Sequence, residues 1–217
     1  MKKKMSLWVL LAAAAMMPSL VQAGVVLTSG ASDGVATRNQ WMGGSSTGTG
    51  SDGTTLGGYY WYMGGADRYF SYPVMQFSLA PFKGITDKSE ITATLGFYVI
   101  SGSNIGQSYA RFYDGNGTGT ITYAQGTSGS QVGNKLAGTG WQSIEVGTQV
   151  QTALNKGYDW ITFNLAMPTY DMDVTLVSSE GATGQYAGLS PQLAVIPEPA
   201  TLGILGFGAL GLLRRKK

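Results

Sequence analysis

The sequence predicts an all-β protein, a single β-sandwich with one short helix, set between two apolar end segments. Three observations predict it. Apolar residues alternate with polar ones in short runs, residues rich in Gly, Ser and Thr separate those runs, and proline is rare between residues 24 and 195. Period two over five to nine residues is the pattern of strands with one face on a core and the other towards solvent. Several such strands joined by glycine-rich turns pack as a sandwich.

In chain order, Lys2, Lys3 and Lys4 precede an apolar stretch from Leu7 to Met17, then Pro18 and Val21-Gln22-Ala23. This is the layout of a secretory signal peptide over residues 1–23, with cleavage after Ala23. The exported domain, residues 24–195, is about 170 residues long, enough for one substantial core. Between Gly43 and Gly58 the chain reads GGSSTGTGSDGTTLGG, which predicts a long flexible surface loop.

Strands follow on the alternating residues Met75, Phe77 and Leu79; Ile91, Ala93, Leu95, Phe97 and Val99; Ile161, Phe163 and Leu165; and Met172, Val174 and Leu176. The short helix falls at Thr148 to Lys156. There Thr148 is placed to cap the N-terminus, Val150, Ala153 and Leu154 share a face, and Gly157 ends it.

At residues 196–217 the prolines of Pro197-Glu198-Pro199 fix their own backbone angles and close the domain near Val195. The uncharged run from Ala200 to Leu213 follows, then Arg214-Arg215-Lys216-Lys217. At about 1.5 Å per residue that run makes a helix of about 21 Å, short of a hydrocarbon core of about 30 Å. Its basic tail reaches back to the headgroups, so the run is predicted to be a short transmembrane helix with the C-terminus in the cytoplasm.

Half of the 14 Lys and Arg residues sit in the two end segments. The domain itself carries seven basic and 11 acidic residues, a net charge of about −4. A nucleic-acid binder needs clustered cations, and this domain lacks them. With no cysteine there is no disulfide framework. With no histidine there is no Ser-His-Asp or Cys-His nucleophile system and none of the commoner zinc sites.

Pro197-Glu198-Pro199, the small apolar helix and the Arg/Lys cluster resemble the PEP-CTERM sorting signal of Gram-negative bacteria. The resemblance implies processing by the membrane protease exosortase. The chain would be inner-membrane-anchored through its C-terminal helix, then released to the cell surface or extracellular matrix of a host that makes exopolysaccharide. The plainer account is an ordinary C-terminal anchor, which needs no Pro-Glu-Pro and is usually longer. The body is similar to the DNRLRE family of secreted domains over Tyr72 to Leu79, Glu90 to Tyr98, Trp141 to Leu154, and Ser178 to Glu180 with Ser190 to Val195. That similarity implies a jelly-roll-like sandwich of the kind used by carbohydrate-binding modules. Residues Tyr109 to Gly140 depart from that family's pattern, so no ligand residue transfers there.

Two clusters stand out as candidate sites. Tyr59, Tyr60, Trp61 and Tyr62, with Tyr69, Phe70 and Tyr72 just after, form the densest aromatic patch. Flat aromatic faces suit the apolar faces of sugar rings, and Tyr59 with Trp61 is the pair singled out for carbohydrate binding. The plainer account is that alternate members of this run are core. Asp114, Asn116 and Thr118 offer oxygens at alternate positions, Gly119 stands at the turn and Ile121 follows, as in the first half of a loop for structural calcium. Gln125 at the twelfth position supplies no bidentate carboxylate, and a glycine-rich β-turn accounts for the same residues. Asp171 and Asp173 alternate onto a solvent face. Two functions fit. The first is a non-catalytic component of an extracellular matrix or biofilm, structural or exopolysaccharide-binding. The alternative is a carboxylate-dependent polysaccharide hydrolase or lyase, which needs only two of the 11 acids at the right separation.

Overall fold

The computed structural model describes residues 25–28, 33–41, 44–50, 55–62, 68–85, 88 and 91–197. The expected signal peptide and the apolar run 200–213 lie outside these residues. The described chain is mostly β-sheet. Its strands are β1 (Val25–Thr28), β2 (Asp33–Trp41), β3 (Gly44–Gly50), β4 (Thr55–Tyr62), β5 (Arg68–Ser78), β6 (Ile91–Ser103), β7 (Tyr109–Tyr113), β8 (Ser130–Lys135), β9 (Gly140–Glu145), β10 (Trp160–Ala166), β11 (Met172–Val177) and β12 (Gln192–Pro197). Two short helices interrupt them, α1 (Tyr123–Thr127) and α2 (Gly147–Asn155).

All strand pairs are antiparallel. The strands form one hydrogen-bonded network in the order β1-β12-β6-β11-β4-β5-β10-β7-β8, with β2 and β3 added beside β5 and β9 beside β6. The two longest strands change neighbours part-way. On one edge of β5, residues 68–71 pair with β4 and 74–78 with β10, while the other edge pairs with β2. Pro73, which has no N–H to leave unsatisfied, stands at that change-over. On β6, residues 91–96 pair with β12 and 99–103 with β11, and the opposite edge takes β9. A sheet whose long strands swap neighbours in this way folds over on itself. One core lies inside it, built from Met75, Phe77, Leu95, Phe97, Ile161, Phe163, Leu165, Met172, Val174 and Leu176, with Val150 and Leu154 of α2 closing one end.

Every alternating set expected from the sequence is buried in that core. Three expectations are corrected. The Gly/Ser stretch is not a loop: β3 pairs along β2 from Gly44 opposite Trp41 to Gly50 opposite Val35, and β4 begins at Thr55. Thr suits an extended strand, and among the described residues β3 has β2 as its one neighbour in the sheet. Helix α2 is not capped by Thr148: it starts at Gly147 after Val146. Gly147 lies so close to β6 that a β-carbon would come 2.8 Å from the Ile91 carbonyl oxygen, so the sheet itself fixes the helix start. At the other end the expectation holds. Gly157 takes φ +72°, its amide donates to Leu154 O and that of Tyr158 to Ala153 O, the paired bonds of a Schellman stop. Finally, β12 runs through Ile196 to Pro197, two residues past the boundary expected at Val195.

The outward face of β5, β10 and β7 is buried as well. Residues 114–128, including α1, lie across it and cover Gln76, Thr162 and Asn164, which alternation alone would put in water. Asn164 Nδ2 donates to the carbonyls of Gln125 (2.6 Å) and Ser128 (2.9 Å). Arg111 Nε donates to Asn164 Oδ1 at 2.7 Å, and its terminal nitrogens donate to Thr127 O and Gly126 O at the end of α1. Burial holds this guanidinium below the usual arginine range. The Tyr72 ring lies 5.8 Å from it, and burial raises the phenol. Gln125 Oε1 accepts from the Thr122 amide at 2.6 Å, the returning half of a capping box that starts α1.

Candidate functional site

The solvent face of β9, β6 and β12 carries an aromatic strip. On β6, Ile91, Ala93, Leu95, Phe97 and Val99 point into the core, so Thr92, Thr94, Gly96 and Tyr98 face outward. Strand β9 alternates likewise, with Gln142 and Ile144 buried and Trp141, Ser143 and Glu145 exposed. The register sets Trp141 directly opposite Tyr98 and Ser143 opposite Gly96. The Trp141 indole leans over Gly96, where a β-carbon would stand 2.5 Å from Cζ2 and 3.2 Å from Cε2. Only glycine leaves room for the ring to lie down on the sheet. From the other side Tyr186, in the turn Gly184–Tyr186, packs on Tyr98 with ring centroids 6.4 Å apart. Tyr186 comes in where β6 passes from β12 to β11.

The strip is therefore three rings wide, Trp141-Tyr98-Tyr186, with Trp141 44 % exposed. Among the described residues of β6, β9 and β12, Glu145 is the charged side chain on this face, and it accepts from Thr94 Oγ1 at 3.2 Å. Thr92, Thr94, Ser143 and Gln192 supply hydroxyls and an amide along the same face. Such a surface offers apolar ring faces flanked by neutral hydrogen-bonding groups. The sequence carried a signal for it: Trp141 falls in the polar phase of an alternating segment, Trp141-Gln142-Ser143-Ile144-Glu145, where a tryptophan has no core to fill.

Tyr59 and Trp61 lie on β4, with Tyr59 opposite Ser71 and Trp61 opposite Tyr69 of β5. Their side chains fall outside the described ones. Of the later aromatics, Phe70 and Tyr72 stack at 6.2 Å on the face covered by α1, so Tyr72 serves the Arg111 layer.

Asp114, Asn116 and Thr118 lie in the segment leading to α1 and do not converge. Asp114 Oδ2 pairs with Lys156 Nζ at 2.5 Å, and Tyr158 Oη donates to Oδ1 at 3.3 Å. The Lys156 ammonium holds the Asp114 carboxyl below the usual carboxylate range, with Tyr158 adding to it, and Lys156 is raised in turn. Asn116 Oδ1 accepts from the amides of Asp159 (2.8 Å) and Trp160 (3.2 Å), and its Nδ2 donates to Asp159 Oδ2 at 3.3 Å. Asp159 also pairs with Lys83, and that hydrogen bond, then the one from Asn116, lowers its pKa. Thr118 Oγ1 donates to Thr120 O at 3.4 Å. No hairpin forms here either: the segment crosses the sheet because Asn116 ties it to the start of β10. Asp171 takes φ +56° just before β11, and Asp173 accepts from the Ser103 amide, its register partner at the start of β11. Among the described residues no group of three or more His, Cys, Asp or Glu is placed to hold a metal ion.

Asp33 is the buried carboxylate among the described residues, 2 % exposed. Its oxygens accept from the Ser179 amide at 2.7 Å and the Ser179 hydroxyl at 2.9 Å, joining the start of β2 to the end of β11. Periodicity gave no hint of it, because Asp33 belongs to a strand end rather than to an apolar run.

No helix of the described residues is long and apolar enough to cross a membrane. A comparison with curated proteins gives no match. Residues 195–217 match the PEP-CTERM protein-sorting motif. That motif marks an exported protein, sorted by exosortase from a membrane-anchored precursor.

Proposed function

We propose that the domain is a non-catalytic, jelly-roll-like component of the extracellular matrix that binds exopolysaccharide on the Trp141-Tyr98-Tyr186 strip. The observation that carries this reading is the Trp141 indole laid over Gly96. An exposed tryptophan costs apolar hydration, and the glycine beneath it seats one face of the ring on the sheet while the other stays open to solvent. With Glu145 the one charged side chain that β6, β9 and β12 place on this face, the ligand that fits is a neutral glycan. A hydrolase or lyase reading needs a pair of carboxylates around a cleft. Against it, Asp33 is held by Ser179, and Asp114 and Asp159 are exposed and paired with lysines.

Affinity electrophoresis of the exported chain, Gly24 to Pro199, through gels cast with neutral and with uronic-acid polysaccharides tests the reading. Retardation by a neutral polysaccharide, lost in Trp141→Ala and kept in Trp61→Ala, is the expected result. Unretarded migration in every gel, with the polysaccharides intact afterwards, would leave a purely structural matrix protein. Shortened polysaccharide chains would instead support the enzyme.

A further inference from the structure

The first and last strands of the domain are neighbours. β1 pairs with β12 so that Val25 stands opposite Val195 and Val26 opposite Ala194. The chain therefore enters and leaves the sheet side by side, about 5 Å apart. From Ile196 to Ala200 is four residue steps, a reach of at most about 14 Å even when fully extended. At Ala200 the apolar run of the sorting segment begins. In the membrane-anchored precursor this end of the sheet is thus tethered within about 14 Å of the start of the apolar run. Three of the large apolar side chains exposed to solvent gather here: Val25 (38 %), Val26 (55 %) and Ile196 (46 %). Their neighbours Thr92 and Ala194 bring no charge.

We infer that this β1–β12 end is a lipid-docking pad: while the sorting segment is still attached, Val25, Val26 and Ile196 rest among the headgroups of the bilayer that holds it. The pad gives the precursor one orientation. Strand β6 then runs away from the membrane, and Ser101, nine residues beyond Thr92, stands roughly 30 Å further out. The docking also places the Pro197-Glu198-Pro199 segment at the membrane surface, where a membrane protease reaches it without unfolding the sheet.

The chain has no cysteine, so single cysteines label cleanly. The variants Val26→Cys, Ile196→Cys and Ser101→Cys of the chain from Gly24 to Lys217 are labelled with an environment-sensitive fluorophore. They are then reconstituted in vesicles of phosphatidylethanolamine and phosphatidylglycerol, with and without headgroup nitroxide lipids. The expected result is blue-shifted emission and several-fold quenching at 26 and 196, with neither at 101. Labels at 26 and 196 that behave like the one at 101, on chains shown to float with the vesicles, would overturn the pad. Shift and quenching at all three positions would overturn the single orientation. Proteoliposomes that also contain exosortase separate the remaining occupant: a blue shift seen only with the protease present would make this end a protein-docking site and refute the lipid contact.

Discussion

The Trp141 indole occupies the space that a side chain on Gly96 would take, with 2.5 Å between its Cζ2 and the position of a β-carbon. Gly96→Val therefore lifts the ring from the sheet while leaving the tryptophan in place. Retention on a neutral polysaccharide is expected to fall by roughly tenfold, close to the loss in Trp141→Ala. Valine suits a strand and offsets the lost ring contact, so urea unfolding should move by less than about 1 kcal/mol. Undiminished retention in Gly96→Val would separate the ring's orientation from binding.

Asn164 joins the sheet to the segment laid over it. In Asn164→Ala the carbonyls of Gln125 and Ser128 and the Nε of Arg111 lose their partner beneath α1. Burial of unpaired polar groups makes this one of the costly substitutions, about 2–4 kcal/mol in urea unfolding. Amide exchange should quicken first across Tyr123–Thr127.

Thr162 has the opposite character. Its hydroxyl is fully buried and makes no hydrogen bond among the described residues. Thr162→Val keeps the shape and removes the unpaired polar atom, so the variant is expected to be as stable as the parent or up to about 1 kcal/mol more stable. A clear loss in thermal unfolding would show that this hydroxyl has a partner in solution.

Asp114 and Asp159 carry a pH dependence with a defined sign. Both folded pKa values lie below the unfolded one, through Lys156 and Lys83 respectively. Each pair thus adds stability above the unfolded aspartate value of about 3.9, and that contribution disappears as pH falls through the lowered folded value. Both pairs are exposed, so the effect is modest and screened by salt. Carboxyl carbon NMR titration should place both midpoints below 3.9, and Lys156→Gln should return that of Asp114 alone.

Much of this fold was legible in the sequence because apolar alternation is a local signal with a direct physical cause. Met75, Phe163 and Val174 are buried for the reason that their spacing suggests. What alternation does not carry is the identity of the second cover. Gln76, Thr162 and Asn164 read as solvent-facing, yet residues 114–128 bury them, and only the three-dimensional path of that segment reveals it. Composition misled at residues 44–50, where Gly, Ser and Thr suggest a loop but β2 offers an edge to pair with. The site shows the same division. The densest aromatic run, around Trp61, drew attention by its number of rings, whereas Trp141 stands alone in sequence. It acquires Tyr98 and Tyr186 only through register and a returning turn.

The pairing of Val25 with Val195 also sets a clock. Val195 lies 170 positions after Val25, so the first segment to emerge from the export machinery finds its partner in the last. Hairpins such as β2–β3 close within a few residues of one another, but β1 stays unpaired until nearly the whole chain has been secreted. Contacts of such sequence separation are slow to form. Pairing of β1 thus cannot precede emergence of β12, the strand that leads directly into the sorting segment. A chain interrupted before that point would present an open strand edge on β12's side of β6 and be marked, by that edge, as unfinished.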